Sequence, residues 1–199
     1  MPTKIILLGS GGHARVILDA FRELGGEPFD GVECLGNDAY LLSRGPSGLE
    51  LINGISDIET RARVYNRFKA AGFVFQTVVH PSAVVARNVH LGEGSQIMAG
   101  ALIQSEAEIG CNVIVNTGAS VDHNCRIGDH SHIAPGAALS GRVEIGSTSL
   151  VGVGSAITPN VSVGAEWSVS SVPAPLLSEI CRRTRLLSAY RQSLAQGMP

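Results

Sequence analysis

Residues 79–168 read in consecutive blocks of six: VHPSAV, VARNVH, LGEGSQ, IMAGAL, IQSEAE, IGCNVI, VNTGAS, VDHNCR, IGDHSH, IAPGAA, LSGRVE, IGSTSL, VGVGSA, ITPNVS and VGAEWS. The first position is Val, Leu or Ile in all fifteen blocks, and the fifth is mostly small, with Trp167 as the exception. An inward aliphatic residue followed by a small corner residue predicts a short strand and a turn. Three blocks complete one triangular coil, so the pattern predicts five stacked parallel coils.

The residues before the repeat have the pattern of a small parallel α/β unit. Residues 4–8 (KIILL) read as a buried strand, and residues 14–24 read as a helix that Gly25-Gly26 ends. A second strand is expected within residues 29–35. The order βαβαβ predicts half of a doubly wound fold.

The next segments complete that unit. Ser56-Asp57-Ile58-Glu59 reads as a capping box that opens a helix running to Ala71, and residues 73–79 read as a third strand that leads into the repeat. Residues 37–53 contain Gly45-Pro46 and Gly48 and read as an irregular surface loop.

A glycine-rich turn follows the first strand. Gly9-x-Gly11-x-x-Ala14 fits the dinucleotide-binding fingerprint, in which backbone N–H groups and a helix N-terminus meet phosphates. An NAD fold needs a second half, but here the chain continues into the hexads, which favours a mononucleotide or a nucleotide-sugar diphosphate over NAD. The alternative is that the glycines serve only a tight turn. The expected binding residues are Gly9, Ser10, Gly11, Gly12, His13 and Arg15.

The composition excludes several classes of function. Charged residues make up 16% of the chain and the net charge is −2, so nothing draws it to nucleic acid or to anionic lipid. No apolar run approaches the roughly 20 residues of a membrane-spanning helix, and no signal peptide is recognisable. We therefore expect a cytoplasmic protein with reduced thiols. The four cysteines, none in CxxC spacing, are Cys34, Cys111, Cys125 and Cys181.

One histidine of the repeat has the properties of a general base. An amine or hydroxyl acceptor must lose a proton as it attacks a thioester, and imidazole is suited to accept that proton. His123 is the third residue of its hexad, away from the inward positions. Gly141 follows after three hexads, so it should lie one coil above His123 with a backbone N–H able to polarise the thioester carbonyl.

Three motifs carry a family resemblance: LGSGGH at residues 8–13, VHPSA at 79–83 and VDHNC at 121–125. Over residues 5–174 the chain resembles the sialic acid O-acetyltransferase (NeuD) group and the nucleotide-aminosugar N-acetyltransferases, which include PglD-like and perosamine N-acetyltransferases. The resemblance implies a left-handed parallel β-helix of about five coils behind the α/β unit. It also implies transfer of acetyl from acetyl-CoA to the 4-amino group of a nucleotide-linked 4-amino-4,6-dideoxy sugar, directly through a tetrahedral intermediate. A homotrimer with active sites at subunit interfaces is implied as well.

The resemblance also assigns residues. It implies a catalytic group of His123, Asn124 and Gly141, with Asn116 and Glu33 on the acceptor side and His132 and Gly152 along acetyl-CoA. In the family an acidic residue usually follows the histidine, two acidic residues follow the second strand, and a lysine follows the prism. This chain instead has Asn124, the stretch Gly31-Val32-Glu33-Cys34, and Pro175, so the nucleotide and the partner of His123 stay open. Arg182 and Arg183, on a predicted helix over residues 176–195, are expected to replace the lysine.

The expected division is an acceptor-binding α/β domain (residues 1–78), an acetyltransferase β-helix (79–172) and a helical tail (173–199). The alternatives are an O-acetyltransferase acting on sialic acid or another sugar, a non-catalytic nucleotide-sugar-binding protein, and a metal prism of the γ-carbonic anhydrase kind. The metal prism would use His123, His130 and His132, which are too close in sequence for that family's pattern. No metal is expected.

Overall fold

The computed structural model describes residues 4–23 and 38–169. The elements before the repeat are β1 (Lys4–Leu8), α1 (Gly12–Glu23), α2 (Asp38–Arg44), β2 (Leu49–Asn53), α3 (Ile58–Ala70) and β3 (Val74–Phe75). Several predictions of the sequence lie outside the described residues: the strand within 29–35, the tail helix over 176–195, and the site residues Glu33, Arg182 and Arg183.

The α/β unit contains a parallel sheet of order β1-β2-β3, and α3 connects its last two strands. Helix α3 begins after Asp57, whose side chain accepts a hydrogen bond from the Thr60 N–H at 2.9 Å. That bond lowers the pKa of the Asp57 carboxyl. The N-cap is therefore Asp57 and not Ser56, the residue that the capping-box pattern predicts. The helix ends before Gly72, which has a φ of +86°.

The expectation of a surface loop over residues 37–53 is wrong. This stretch forms α2 and β2, and β2 is the central strand of the sheet. Gly45 and Gly48, with φ of +74° and +69°, make only the short connection between them. The buried side chains of Leu41 and Leu51 are the reason, because apolar residues on both sides of the turn enter one core.

The expected third strand over residues 73–79 is two strands. β3 pairs with β2 of the α/β sheet, while β4 (Val78–Val79) is the first strand of the prism and pairs with Gln96–Ile97. The predicted start of the first helix also moves, from Ala14 to Gly12.

The repeat folds into a parallel prism with three faces. The docking face contains β4, β7 (Gln96–Ile97), β10 (Ile114–Val115), β13 (His132–Ile133), β16 (Leu150–Val151) and β19 (Ser168–Val169). The small-residue face contains β5 (Val84–Val85), β8 (Leu102–Ile103), β11 (Ser120–Val121), β14 (Ala138–Leu139) and β17 (Ala156–Ile157). The charged face contains β6 (His90–Leu91), β9 (Glu108–Ile109), β12 (Arg126–Ile127), β15 (Glu144–Ile145) and β18 (Ser162–Val163). Paired residues lie three hexads apart, as in Ile114 with His132, which confirms the predicted coil.

The fourth residue of each hexad turns the corner. From Gly94 to Glu166, every fourth position has a positive φ of between 54° and 70°. The N–H of the fifth residue then donates to the carbonyl of the second, as in Ala119 N to Asn116 O at 3.0 Å. The first and fifth positions fill the interior, where aliphatic and small side chains form one continuous core. The Trp167 indole does not fit this interior, and Trp167 remains 37% exposed.

The α/β unit packs against the docking face. Leu7, Ile17 and Ile52 form one buried cluster with Met98 and Ile114 of the prism. Polar contacts cross the same boundary. His13 is hydrogen-bonded to the Gln96 side chain at 2.6 Å, and Gln96 donates to the Asn53 carbonyl at 2.7 Å. In the part of the chain that is described, no helix is long and apolar enough to cross a bilayer.

Candidate active site

His123 lies at the corner between the small-residue face and the charged face, and its side chain is exposed. Its Nδ1 is 2.9 Å from Asn124 Oδ1, and its backbone N–H donates to Asp122 Oδ1 at 2.7 Å. With the amide oxygen as acceptor, the proton of the neutral ring is on Nδ1. The other nitrogen, Nε2, then carries a lone pair that can accept a proton.

Gly141 lies directly against this imidazole. A Cβ added at Gly141 would be 2.6 Å from His123 Nε2, and the Arg142 N–H donates to the His123 carbonyl at 3.0 Å. Within the described residues the Gly141 N–H meets no acceptor, while its carbonyl accepts from Asn160 N at 3.1 Å. One coil further up, the equivalent residue is Pro159, which has no N–H. The His123 corner therefore presents an imidazole beside one unused backbone donor.

Cys125 is the other nucleophilic side chain near this corner. It occupies the inward fifth position, and its Sγ donates to the Ser140 carbonyl at 3.2 Å. Burial raises the pKa of the Cys125 thiol. A buried, protonated thiol is a poor nucleophile, so the corner favours base catalysis over a covalent cysteine intermediate.

The glycine-rich loop follows the carboxyl end of β1. Gly9 has a φ of +101°, and a Cβ there would be 3.2 Å from the carbonyl oxygen of Gly54, the residue that follows the neighbouring strand β2. Gly11 and Gly12 face open space, with no atom within 4 Å of an added Cβ. The first N–H groups of α1 begin at Gly12. A helix N-terminus and exposed backbone N–H groups therefore lie at the carboxyl edge of the sheet, where α/β folds bind phosphates. Arg15 is exposed on the first turn of α1.

A cleft of about 710 Å³ lies between the α/β unit and the docking face. Its first wall is the segment before α3 and the start of that helix, including Ser56, Asp57 and Glu59. Its second wall is the prism, including His132, Leu150 and Trp167. This volume is within the range of small-molecule sites.

His132 and Asn116 meet on the docking side. Asn116 Nδ2 is 3.0 Å from His132 Nε2. Burial, followed by the positive charge of Arg61, lowers the pKa of His132 to about 4. Burial also lowers the pKa of His13, although its hydrogen bond to Gln96 opposes this. Both imidazoles are therefore neutral at physiological pH.

Five of the predicted site residues in the prism fall into two groups within one chain. His123, Asn124 and Gly141 lie at one corner, and the docking face with His132 lies on the opposite side of the triangle. With six residues to a side, these two places are on the order of 15 Å apart. Gly152 lies at the corner that follows β16 and belongs to neither group.

The three histidines of the metal-prism alternative are also separated. His123 is at the corner opposite the docking face, His132 is on that face, and His130 is at the corner before it, with its Nδ1 2.9 Å from Asn112 Nδ2. Among the described residues, no three His, Cys, Asp or Glu side chains are grouped for a metal ion. The histidine spacing in sequence does not become a ligand cluster in space.

The sequence interpretation missed Arg61, which is buried beside the cleft. A basic residue on an amphipathic helix is ordinarily assigned to the solvent side. A pattern in α3 could have indicated otherwise, since Arg61, Tyr65 and Phe68 are its buried residues and follow the spacing i, i+4, i+7.

Comparisons with known proteins bear on these features. The family model described as bacterial transferase hexapeptide (six repeats) matches residues 106–141, which include both His123 and Gly141. No curated protein matches the chain in sequence.

Solved structures match almost the whole chain. The acetyltransferase domain of PglB from Neisseria gonorrhoeae FA1090, in complex with acetyl coenzyme A, has a TM-score of 0.80 and 28% identity, over 87% of this chain and 92% of that one. PerB from Caulobacter crescentus, in complex with CoA and GDP-perosamine, has a TM-score of 0.79 and 35% identity, over 86% and 89%. WeeI from Acinetobacter baumannii AYE has a TM-score of 0.64 at 23% identity, over 86% and 93%, and supports the fold alone. The left-handed β-helix fold is thus shared with the PglB acetyltransferase domain.

Proposed function

Because this chain belongs to the hexapeptide-repeat acetyltransferases that include perosamine N-acetyltransferase, we propose that it acetylates the 4-amino group of a nucleotide-linked 4-amino-4,6-dideoxy sugar. The chain is a sugar acetyltransferase, and acetyl-CoA is its co-substrate. The observation that carries the finer proposal is the His123 corner, where an imidazole held by Asn124 leaves Nε2 free beside an unused backbone donor.

His123 Nε2 is the base for the acceptor amine. The acceptor nitrogen attacks the thioester carbonyl as His123 takes its proton, so a C–N bond forms and the carbonyl oxygen becomes an oxyanion. The Gly141 N–H stabilises that oxyanion. The C–S bond then breaks, and the proton on His123 passes to the departing CoA thiolate. Asn124 Oδ1 holds the Nδ1–H throughout, which keeps the ring in one tautomer.

The acceptor binds on the docking side. The nucleotide diphosphate meets the open backbone of Gly11 and Gly12 at the start of α1. The sugar extends into the neighbouring cleft, where Asp57 and Glu59 supply negative charge that attracts the amino sugar as an ammonium ion, which releases one proton to solvent before the neutral amine attacks. This placement favours an amino sugar over sialic acid, whose carboxylate these side chains would repel.

His123 and the cleft lie on opposite sides of one chain, so a complete site needs the base of one chain and the cleft of another. We propose a homotrimer in which the His123 corner of one subunit faces the cleft of the next. The small-residue face supports this arrangement, because its outward side chains carry no charge and two of them, Val84 and Leu102, are exposed at 59% and 42%.

We propose that residues 1–78 bind the acceptor, that residues 79–172 carry out acetyl transfer, and that residues 173–199 form a tail. We also propose a cytoplasmic location, contacts from Gly152, Arg182 and Arg183 to CoA, and a contact from His132 to the acetyl group where the neighbouring His123 corner meets the cleft. Neutralising both arginines should raise the KM for acetyl-CoA, whereas an unchanged KM would reject their role.

The activity is tested by measuring CoA release from acetyl-CoA. Acceptors are UDP-, dTDP- and GDP-linked 4-amino sugars, their 4-hydroxy counterparts, and sialic acid. We expect turnover with one or more amino sugars and a loss of kcat of at least about 10²-fold in His123→Ala. Turnover only with sialic acid or another hydroxyl acceptor would establish O-acetylation instead, and a loss below tenfold would reject His123 as the base.

The interface is tested by mixing two inactive chains. His123→Ala removes the base, and Gly12→Asp places a carboxylate where the diphosphate binds without a steric clash. If one site uses the base of one subunit and the loop of its neighbour, random co-assembly leaves about a quarter of the sites intact. Recovery of about a quarter of wild-type activity is expected, and no recovery in mixed trimers would show that both residues serve the same subunit's site.

A further inference from the structure

Arg61 is a buried cation that the catalytic scheme does not use. Its residue exposure is 0%, and within the described residues every hydrogen bond of its side chain goes to a backbone carbonyl. Nη1 donates to Ser56 O at 2.9 Å, Nη2 donates to His130 O at 2.6 Å and to Ser131 O at 3.2 Å, and Nε donates to Asn112 O at 3.2 Å. None of these acceptors is a carboxylate, and burial lowers the pKa of Arg61 to about 10.

These carbonyls belong to both walls of the cleft. Ser56 is part of the wall formed by the α/β unit. Ser131 immediately precedes His132, whose side chain is part of the prism wall. One planar guanidinium therefore bonds to the backbone on each side, and the fixed directions of its N–H groups determine how far apart the two walls are.

Stability alone does not account for an arginine here. Desolvating a buried cation is expensive, and although the charge of the Asp57 carboxylate favours the Arg61 cation, an apolar residue of similar size is often equally stabilising. The α/β unit is already held to the prism by the apolar cluster around Ile17 and Met98. Other polar contacts join the two units as well, such as the one between Lys69 Nζ and Glu93 Oε1 at 2.8 Å.

We propose that Arg61 is a positioning residue that sets the width of the acceptor cleft by bonding its two walls together. This inference rests on the proposed function, because it assumes that the sugar acceptor occupies the cleft. In the proposed trimer acetyl-CoA meets the His123 corner of the neighbouring subunit, whereas the two walls that Arg61 bonds together belong to its own chain. The effect of Arg61 should therefore appear with the acceptor and not with acetyl-CoA.

Arg61→Lys and Arg61→Gln test this proposal, with Lys69→Gln as the matched control. Lys69 is on the same helix, about 12 Å further along, and also ties α3 to the prism, but it does not line the cleft. Both Arg61 variants should raise the acceptor KM at least about tenfold and lower kcat, since displacements near 1 Å can cost up to 10²-fold. The KM for acetyl-CoA should stay within about twofold of wild type. Lys69→Gln should lower the Tm and leave both KM values unchanged.

Two results would overturn the proposal. One is a folded Arg61 variant whose acceptor KM is within about twofold of wild type. The other is an equal rise of acceptor KM in Lys69→Gln, which would show that any loosened contact with the prism has the same effect. If Arg61→Gln does not fold, Arg61→Lys decides, because it keeps the charge and reaches fewer carbonyls. Failure of the proposed function is distinguishable, since the wild-type chain would then acetylate no nucleotide-linked amino sugar.

Discussion

Gly141→Ala is the smallest change that should disable His123. The added Cβ would lie 2.6 Å from His123 Nε2, 2.7 Å from Cε1 and 3.2 Å from Cδ2. Three ring atoms are affected at once, so the imidazole cannot avoid the methyl group by a small rotation. Gly141 is not among the residues with a positive φ, so alanine fits the backbone and the strain falls on the ring.

The displacement follows from these distances. An ordinary contact begins at 3.4 Å, so the 2.6 Å approach must open by about 0.8 Å. Because His123 is exposed, the ring can move into solvent, and the 2.9 Å hydrogen bond to Asn124 is then lost. A misplacement of this size is expected to lower kcat about 10²-fold, or roughly 2.7 kcal/mol of transition-state stabilisation. The Tm should change little, since no buried contact is broken.

A double-mutant cycle separates this mechanism from damage to the prism. CoA release is measured for Gly141→Ala, His123→Ala and the combined variant, with the Tm of each as a control. Without the imidazole there is nothing for the methyl group to displace, so Gly141→Ala should cost almost nothing further in the His123→Ala background. A kcat within threefold of wild type for the single variant would refute the reasoning. So would an additional tenfold loss in the combined variant.

Three other predictions concern Asn124, His132 and Trp167. Asn124→Ala should lower kcat about tenfold without changing the KM for acetyl-CoA, because the ring loses its tautomer-fixing acceptor; an unchanged kcat would leave Asn124 without a catalytic role. The pKa of His132 is lowered from 6.5 to about 4, so the unfolded chain binds more protons than the folded chain between these values. The free energy of unfolding should therefore fall as the pH drops from 6.5 to 4. Urea titrations at several pH values should show that this free energy depends less on pH in His132→Gln than in the wild type, while an equal dependence on pH would contradict the assignment. Trp167 is the only tryptophan of the chain and lines the cleft. Its fluorescence should change saturably with the nucleotide-sugar acceptor and much less with acetyl-CoA alone, and the reverse order would place CoA in the cleft.

The prism could be predicted from the sequence because each hexad contains the complete pattern for one strand and one turn. An inward aliphatic residue every six positions leaves one solution for the interior, and Val121 and Leu139 stack in the predicted register. The α/β unit was harder, since its signals are not repeated. In residues 37–53, Gly45 and Pro46 dominated the interpretation, although the neighbouring leucines are buried. Turn residues show where the chain bends but not how much structure lies on either side of the bend.

The candidate site could likewise be predicted from the sequence only in part. The spacing of three hexads placed Gly141 above His123 without reference to tertiary structure, because both are governed by the coil. Arg61 and Gln96 act across the boundary between the α/β unit and the prism, and no sequence period relates residues in two different units. Contacts between units depend on how two surfaces fit, which is why the cleft emerged only from the structure.

Asn124 shows how backbone and chemistry can require the same residue. It is the fourth residue of its hexad and has a φ of +58°, a conformation that among side-chain-bearing residues Asn adopts with little strain. From this position its Oδ1 reaches His123 Nδ1 at 2.9 Å, so the residue that turns the corner also holds the imidazole. An acidic residue here would add charge to support the imidazolium. Asn124 provides the tautomer without that charge, so we expect the charge to come from Asp122, whose carboxylate lies in the same corner and accepts a hydrogen bond from the His123 backbone N–H at 2.7 Å.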